Sequence, residues 1–241
     1  MVTTLQIASA IAAFGPALGL MYYSLRDYTF PRAEKPFFDD SKVFKFFALG
    51  IVLGMALFFF EAWTELIAST ETLLATVLGL AVMEELLKLV ILNFPRFQRK
   101  IDTAFYGLAM GLGISATLAF AKVYSVALEL SDAESVDLVA FTLSGLLLSV
   151  QIVLLHGATT TFIGIGVVRG DIKGYFSEAL LVHVGYSLLM VPSALSDDPF
   201  SVLALAGIAG ATALVVYSYV KMQRLSLPLL IKDAKRLSKK K

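Results

Sequence analysis

Two glutamates and a lysine stand in the stretch AVMEELLKLVIL, residues 81–92, which is otherwise almost wholly apolar. Lys88 follows Glu84 by four positions and Glu85 by three, so on a helix its ammonium can reach both carboxylates and offset their mutual repulsion. The chain has only two histidines, His156 and His183, and both also lie inside apolar runs. Carboxylate and imidazole together can activate water. The carboxylate serves as general base, and the histidines orient the water or stabilise an oxyanion. The same groups can bind zinc, whose bound water loses a proton more readily.

The elements that carry these residues are read from the apolar runs. The chain has 241 residues, 58% hydrophobic and 16% charged, with a mean hydropathy of +0.79. Its apolar residues fall in blocks of about 20 or more, the length of a bilayer-spanning helix. The fold class expected is all-α: a polytopic membrane protein of about seven transmembrane helices, at 3–24, 43–66, 72–94, 102–128, 138–168, 175–195 and 200–221. The whole of 1–241 reads as one transmembrane domain, with a basic tail at 222–241 that suits an anionic membrane surface. Pro31 and Pro36 argue against a continuous helix through 25–42. The first segment lacks a basic leader and reads as a permanent span. The absence of cysteine excludes disulfides and thiolate metal sites.

Charge supports that division. The connections at 25–42, 95–101 and 169–174, their flanks and the C-terminal end hold 18 of the 20 Lys and Arg residues. The alternate connections hold acids only: Glu71; Glu129, Asp132, Glu134 and Asp137; Asp197 and Asp198. Basic loops favour the cytoplasmic side, which predicts an N-terminus outside and a cytoplasmic C-terminus. No nucleotide motif or nucleic-acid surface is present.

Depth follows from the same basic flanks. Glu84 precedes Arg96 by 12 residues, His156 precedes Arg169 by 13, and His183 follows Lys173 by 10. At about 1.5 Å per residue, each lies ~15–20 Å from its flanking charge. Three helices therefore place a carboxylate or an imidazole in one layer. Plainer roles compete. Glu84 and Lys88 could be a structural ion pair, and each histidine an interhelical hydrogen bond. Lys122 is expected to snorkel to the outer interface, with Glu61 and Glu65 interfacial as well. Asp102 and Glu178 suit helix starts. Gly107 and Gly111 form a G-x-x-x-G pair suited to close helix packing. Ser115 and Thr117 follow near the layer.

The order of these segments resembles the PrsW family of intramembrane proteases, related to the CAAX-prenyl endoproteases and bacteriocin-processing membrane proteins. MEELLKLVIL is similar to the family's EE-x-x-K motif, DTAFYGLAMGLGISATLA to its following glycine-rich segment, LLHGATTTFIGIG to a histidine helix, and LVHVGYSLLM to the last histidine motif. The similarity spans roughly residues 75–190. It departs where the family has a carboxylate, here Leu118, and where it has Asp or Asn, here Ser187.

The resemblance implies a multi-pass cell-membrane endopeptidase with a protease-like core at about 72–195. Its substrate would be a membrane protein or membrane-anchored peptide. The expected catalytic residues are Glu84, Glu85, His156 and His183, supported by Lys88, Ser187 and Thr117. If a metal is bound, zinc would sit on Glu85, His156 and His183; otherwise there is no cofactor. Two alternatives stay open: a catalytically inactive relative that binds other membrane proteins, and a proton- or ion-coupled transporter.

Overall fold

The computed structural model describes residues 2–67, 69, 71–131, 138–196, 198 and 201–238. Asp132, Glu134, Asp137, Asp197, Lys239, Lys240 and Lys241 lie outside that set, as do the side chains of Glu65 and Glu129. The helices are α1 (Val2–Leu25), α2 (Asp40–Ile67), α3 (Leu73–Leu92), α4 (Asp102–Ser131), α5 (Leu138–Arg169), α6 (Ile172–Leu195), α7 (Val202–Lys221) and α8 (Leu227–Ser238). A π-helical turn, Met222–Ser226, joins α7 to α8 without a break. Among the described residues there is no strand. α1, α2, α4, α5, α6 and the continuous α7–α8 rod each contain a stretch long and apolar enough to cross a membrane. The chain thus has the build of a multi-pass helical membrane protein.

Local sequence explains where the helices stop. Gly170 adopts φ +74°, a left-handed conformation that a side chain would strain, and ends α5. Asp171 then caps α6 by accepting a hydrogen bond from the Gly174 amide at 3.2 Å. Ser201 caps α7 in the same way through Ala204, at 3.3 Å.

α4 is the central helix, with 94% of its spanning segment buried, against 78% for α5. α4 packs chiefly on α5 on one side and α2 on the other, with α1 alongside. Small residues permit this. A Cβ at Gly111 would meet the His156 carbonyl oxygen of α5 at 2.3 Å, and one at Gly113 would meet the Phe47 carbonyl oxygen of α2 at 2.1 Å. A Cβ at Gly107 would meet the Thr160 carbonyl oxygen at 2.8 Å, so both members of the G-x-x-x-G pair serve packing on α5, and Gly111 sets its backbone at His156.

α3 has the opposite of a soluble amphipathic pattern. Ala81, Glu84, Glu85, Lys88 and Leu92 are buried, whereas Leu74, Val82, Leu86 and Val90 are exposed. Polar groups inside and apolar groups outside suit a lipid surround rather than water. α3 rests on α5 and α6 and barely touches α2. Its 20 residues make a rod about 30 Å long.

The basic connections gather at one end of the bundle. Arg99 of the α3–α4 loop donates from its amide to the Val167 carbonyl oxygen near the end of α5, at 3.5 Å. Lys221 at the end of α7 pairs with Glu178 near the start of α6 at 2.8 Å, and Arg169 pairs with Asp233 of α8 at 2.7 Å. Tyr28, Phe37 and Phe38 of the first connection pack with Phe105 of α4 in an aromatic cluster. The tail is thus a docked helix, with Leu227, Leu230 and Ile231 buried.

Candidate functional site

The buried face of α3 meets α5 and α6 at the predicted layer. One turn of α3 brings Glu84, Glu85 and Lys88 to the same interior, because residues three and four apart share a face. α5 contributes His156 and, one turn on, Thr159; α6 contributes His183. Glu84, Glu85, Lys88, His156 and His183 are all buried.

Lys88 is saturated. Its Nζ lies 2.6 Å from Glu85 Oε1, 2.9 Å from His156 Nδ1 and 3.3 Å from Thr159 Oγ1. An ammonium has three protons to donate, and three acceptors are present. Glu85 Oε1 also lies 2.6 Å from His183 Nδ1. Glu85 therefore ties α3 to α6, while Lys88 ties α3 to α5.

These partners assign the ring protons. His156 Nδ1 accepts from Lys88, so its proton sits on Nε2. His183 Nδ1 donates to Glu85, so in the neutral ring Nε2 keeps its lone pair. The two rings stand nearly perpendicular, 5.3 Å apart. One imidazole thus has a donor to offer and the other an acceptor.

Glu84 is differently placed. Its Oε2, like that of Glu85, is buried with no hydrogen-bond partner, but Glu84 alone of the two lines a cavity, and its Oε2 lies 3.8 Å from His156 Nδ1. Glu84, His156 and His183 line a cavity of about 270 Å³, together with Leu118, Tyr186 and Ser187. Glu85 and Lys88 do not line it. An unpaired carboxylate oxygen beside a cavity is a group with chemistry still to do.

Glu84, His156 and His183 also offer ligand atoms within 4.8 Å of one another, so proximity alone admits a metal ion. The geometric trio contains Glu84 where the sequence pointed to Glu85, because Glu85 is held by Lys88 and His183. The donor chemistry disfavours zinc. His156 carries its hydrogen on Nε2 and has Nδ1 engaged by an ammonium 2.9 Å away. It lacks a free lone pair, and the Lys88 cation sits where a second cation would be repelled.

Two expected supporting residues separate. Ser187 lines the cavity one turn beyond His183. Thr117 does not join the site. Its hydroxyl bonds the Ile51 carbonyl oxygen of α2 at 3.2 Å, and the Gly113 carbonyl oxygen lies at 3.3 Å. Ser115 likewise donates to its own helix, to Leu112 at 2.9 Å.

Lys122 and Glu61, both expected toward the outer interface, pair with each other at 2.9 Å and both line the cavity, with Glu61 buried and the Lys122 side chain 42% exposed. A legible signal existed: an acid and a base near the same ends of two spans. Thr159 and Tyr186 also belong to the site, and nothing in a run of small or aromatic residues marks them in the sequence.

Comparison of the chain with protein-family models, with curated proteins and with solved structures finds no match. The likeness to intramembrane proteases rests on the motifs alone.

Proposed function

We propose that this chain is an intramembrane peptidase that hydrolyses peptide bonds of membrane proteins or membrane-anchored peptides without a metal. The observation that carries this reading is Glu84, whose Oε2 has no hydrogen-bond partner, beside two imidazoles of opposite hydrogen-bonding character at one cavity. In the proposed reaction, Glu84 takes a proton from water as the water oxygen bonds to the scissile carbonyl carbon. His183 Nε2 orients that water. His156 Nε2–H donates to the oxyanion of the tetrahedral intermediate. As the carbon–nitrogen bond breaks, the proton on Glu84 passes to the leaving amine. Glu85 and Lys88 touch no substrate and fix the two rings. The same reading takes α1–α7 as seven spans of a cell membrane, with the basic end cytoplasmic.

The deciding experiment uses proteoliposomes holding the full chain and a pool of single-span peptides. New C-termini carrying isotopically labelled water oxygen, lost in Glu84→Gln, are expected. Cleavage that persists unchanged in Glu84→Gln removes Glu84 from the reaction.

A second reading has one observation in its favour. Leu118 is buried and apolar in the cavity wall, where the resemblance calls for a carboxylate. An inactive relative that binds membrane proteins would keep the layer and lack the final acid. It predicts that the same pool stays intact with wild type and is cleaved by Leu118→Glu.

A further inference from the structure

At the basic end of the bundle, far along α3 and α4 from the glutamate–histidine layer, a cleft of about 460 Å³ opens between the start of α2 and the α3–α4 loop. Four cations line it: Lys42 and Lys45 from α2, Arg96 and Lys100 from the loop. Its wall is aromatic. The rings of Phe46 and Tyr106 stack at 4.9 Å, and Phe46 meets Phe97 edge-on at 5.3 Å.

The charge there is only partly answered. Lys42 lies 3.9 Å from Asp39 in a loose, exposed pair. Among the described residues, Asp102 is the one acid that lines the cleft. Among the described residues, Lys45 and Lys100 have no side-chain hydrogen bond or ion pair, and Arg96 rests only over the Phe97 ring, at 4.6 Å. Cations from two segments that converge with less counter-charge than their own form a standing anion site.

Position selects the anion. The cleft sits at the ends of membrane-length helices α2 and α4, which begin at Asp40 and Asp102. Exposed Phe44, Leu49 and Phe94 stand beside the cationic rim on the same segments. A ligand that satisfies both has a phosphate for the cations and an acyl chain for the apolar surface. A second cleft shares Lys42, Lys100, Asp102 and Tyr106 and reaches Phe37, over whose ring Lys235 of α8 lies at 5.5 Å.

We propose that this cleft binds the phosphate headgroup of an anionic phospholipid, clamped by Lys45, Arg96 and Lys100. Basic pockets between membrane helices are suited to such headgroups, since desolvation by the aromatic wall strengthens each charge contact. The bound lipid joins α2 to the α3–α4 loop and so steadies the end of the helix that carries Glu84.

Native mass spectrometry of the full chain in neutral detergent tests this, with phosphatidylglycerol and phosphatidylcholine of equal chain length as probes. Wild type is expected to retain phosphatidylglycerol in preference to phosphatidylcholine. The triple variant Lys45→Gln, Arg96→Gln, Lys100→Gln is expected to weaken that retention about 100-fold, at roughly fivefold per cation. A matched variant with Lys173, Lys232 and Arg236 each changed to Gln should retain it. Unfolding midpoints check that the exposed substitutions leave the fold intact, and Arg96→Gln alone gives a milder second variant. Equal retention of both lipids, undiminished retention by the cleft variants, or equal loss in the matched variant would overturn the proposal. Displacement of phosphatidylglycerol by inorganic phosphate at equal concentration would show a free-anion site instead and would overturn the lipid assignment.

Discussion

Oε1 of Glu85 lies 2.6 Å from Nδ1 of His183, a contact that joins α3 to α6 across 98 residues of sequence. The same oxygen receives Lys88 at 2.6 Å. Adjacent glutamates thereby divide their work. Glu85 is spent on orientation, and Glu84 is left facing the cavity.

That division sets the first prediction, for the peptidase reading. Glu84→Gln removes the proposed base, and turnover of a cleaved membrane peptide should fall by ~100-fold or more. Glu85→Gln frees His183 to turn and weakens the hold on Lys88. It should lower turnover and also lower the unfolding midpoint. Equal stability loss in both variants would show that the two carboxylates are not differentiated.

A second prediction concerns Lys88. Lys88→Met leaves Glu85 buried without its cation, a change expected to cost about 3–5 kcal/mol. Adding Glu85→Gln removes the stranded charge and should recover part of the loss. Thermal unfolding in detergent measures both steps, and strictly additive losses would mean that the pair is not coupled.

Helix contact gives a third. Gly111→Ala drives a methyl against the His156 carbonyl oxygen at 2.3 Å and the Thr160 hydroxyl at 2.7 Å. Overpacking of this kind costs about 1–3 kcal/mol, and it should displace His156 and impair turnover. Gly79 in α3 has no atom within 4 Å of the added Cβ. Gly79→Ala should leave the midpoint unchanged or raise it, as alanine favours helix. If both variants behave alike, the α4–α5 approach is not as close as described.

The fourth prediction tests sidedness. Because the chain has no cysteine, single-cysteine variants report accessibility against a blank background. Glu71→Cys and Lys100→Cys are both at exposed positions, at opposite ends of α3. A membrane-impermeant thiol reagent added to intact cells should label the first and spare the second. Labelling of both from outside would undo the assigned orientation.

Much of the frame was legible because a lipid environment writes itself plainly into a sequence. Helix ends fall within three residues of the expected ones at α6, where 175 became Ile172, and at α2, where 43 became Asp40. The layer of Glu84, His156 and His183 was also legible, since basic flanks act as depth marks. The direction in which a side chain faces was less so. Hydropathy could not reveal that α4 is wrapped on several sides. It therefore placed Thr117 toward the layer, when packing turns it to α2. Nor does hydropathy reveal that the approach of α2 to α4 pairs Glu61 with Lys122 in the cavity wall. The choice between Glu84 and Glu85 depended on which one Lys88 and His183 would claim, and spacing allowed either.

Synthesis imposes an order on all of this. α3 leaves the ribosome carrying three charges; Lys88 and Glu85 can pair within the helix, but their partners on α5 and α6 do not yet exist. His156 follows Lys88 by 68 residues, and His183 follows Glu85 by 98. Each charged side chain adds about 2.5–3.5 kcal/mol to the insertion of a lone helix. α3 is thus a poor passenger when it first meets the translocon and a stable one only after α5 and α6 have arrived. A nascent chain truncated after residue 131 should show α3 poorly inserted by glycosylation mapping, and one that reaches residue 196 should show it seated. The charges that equip the site also make its helix the last to settle.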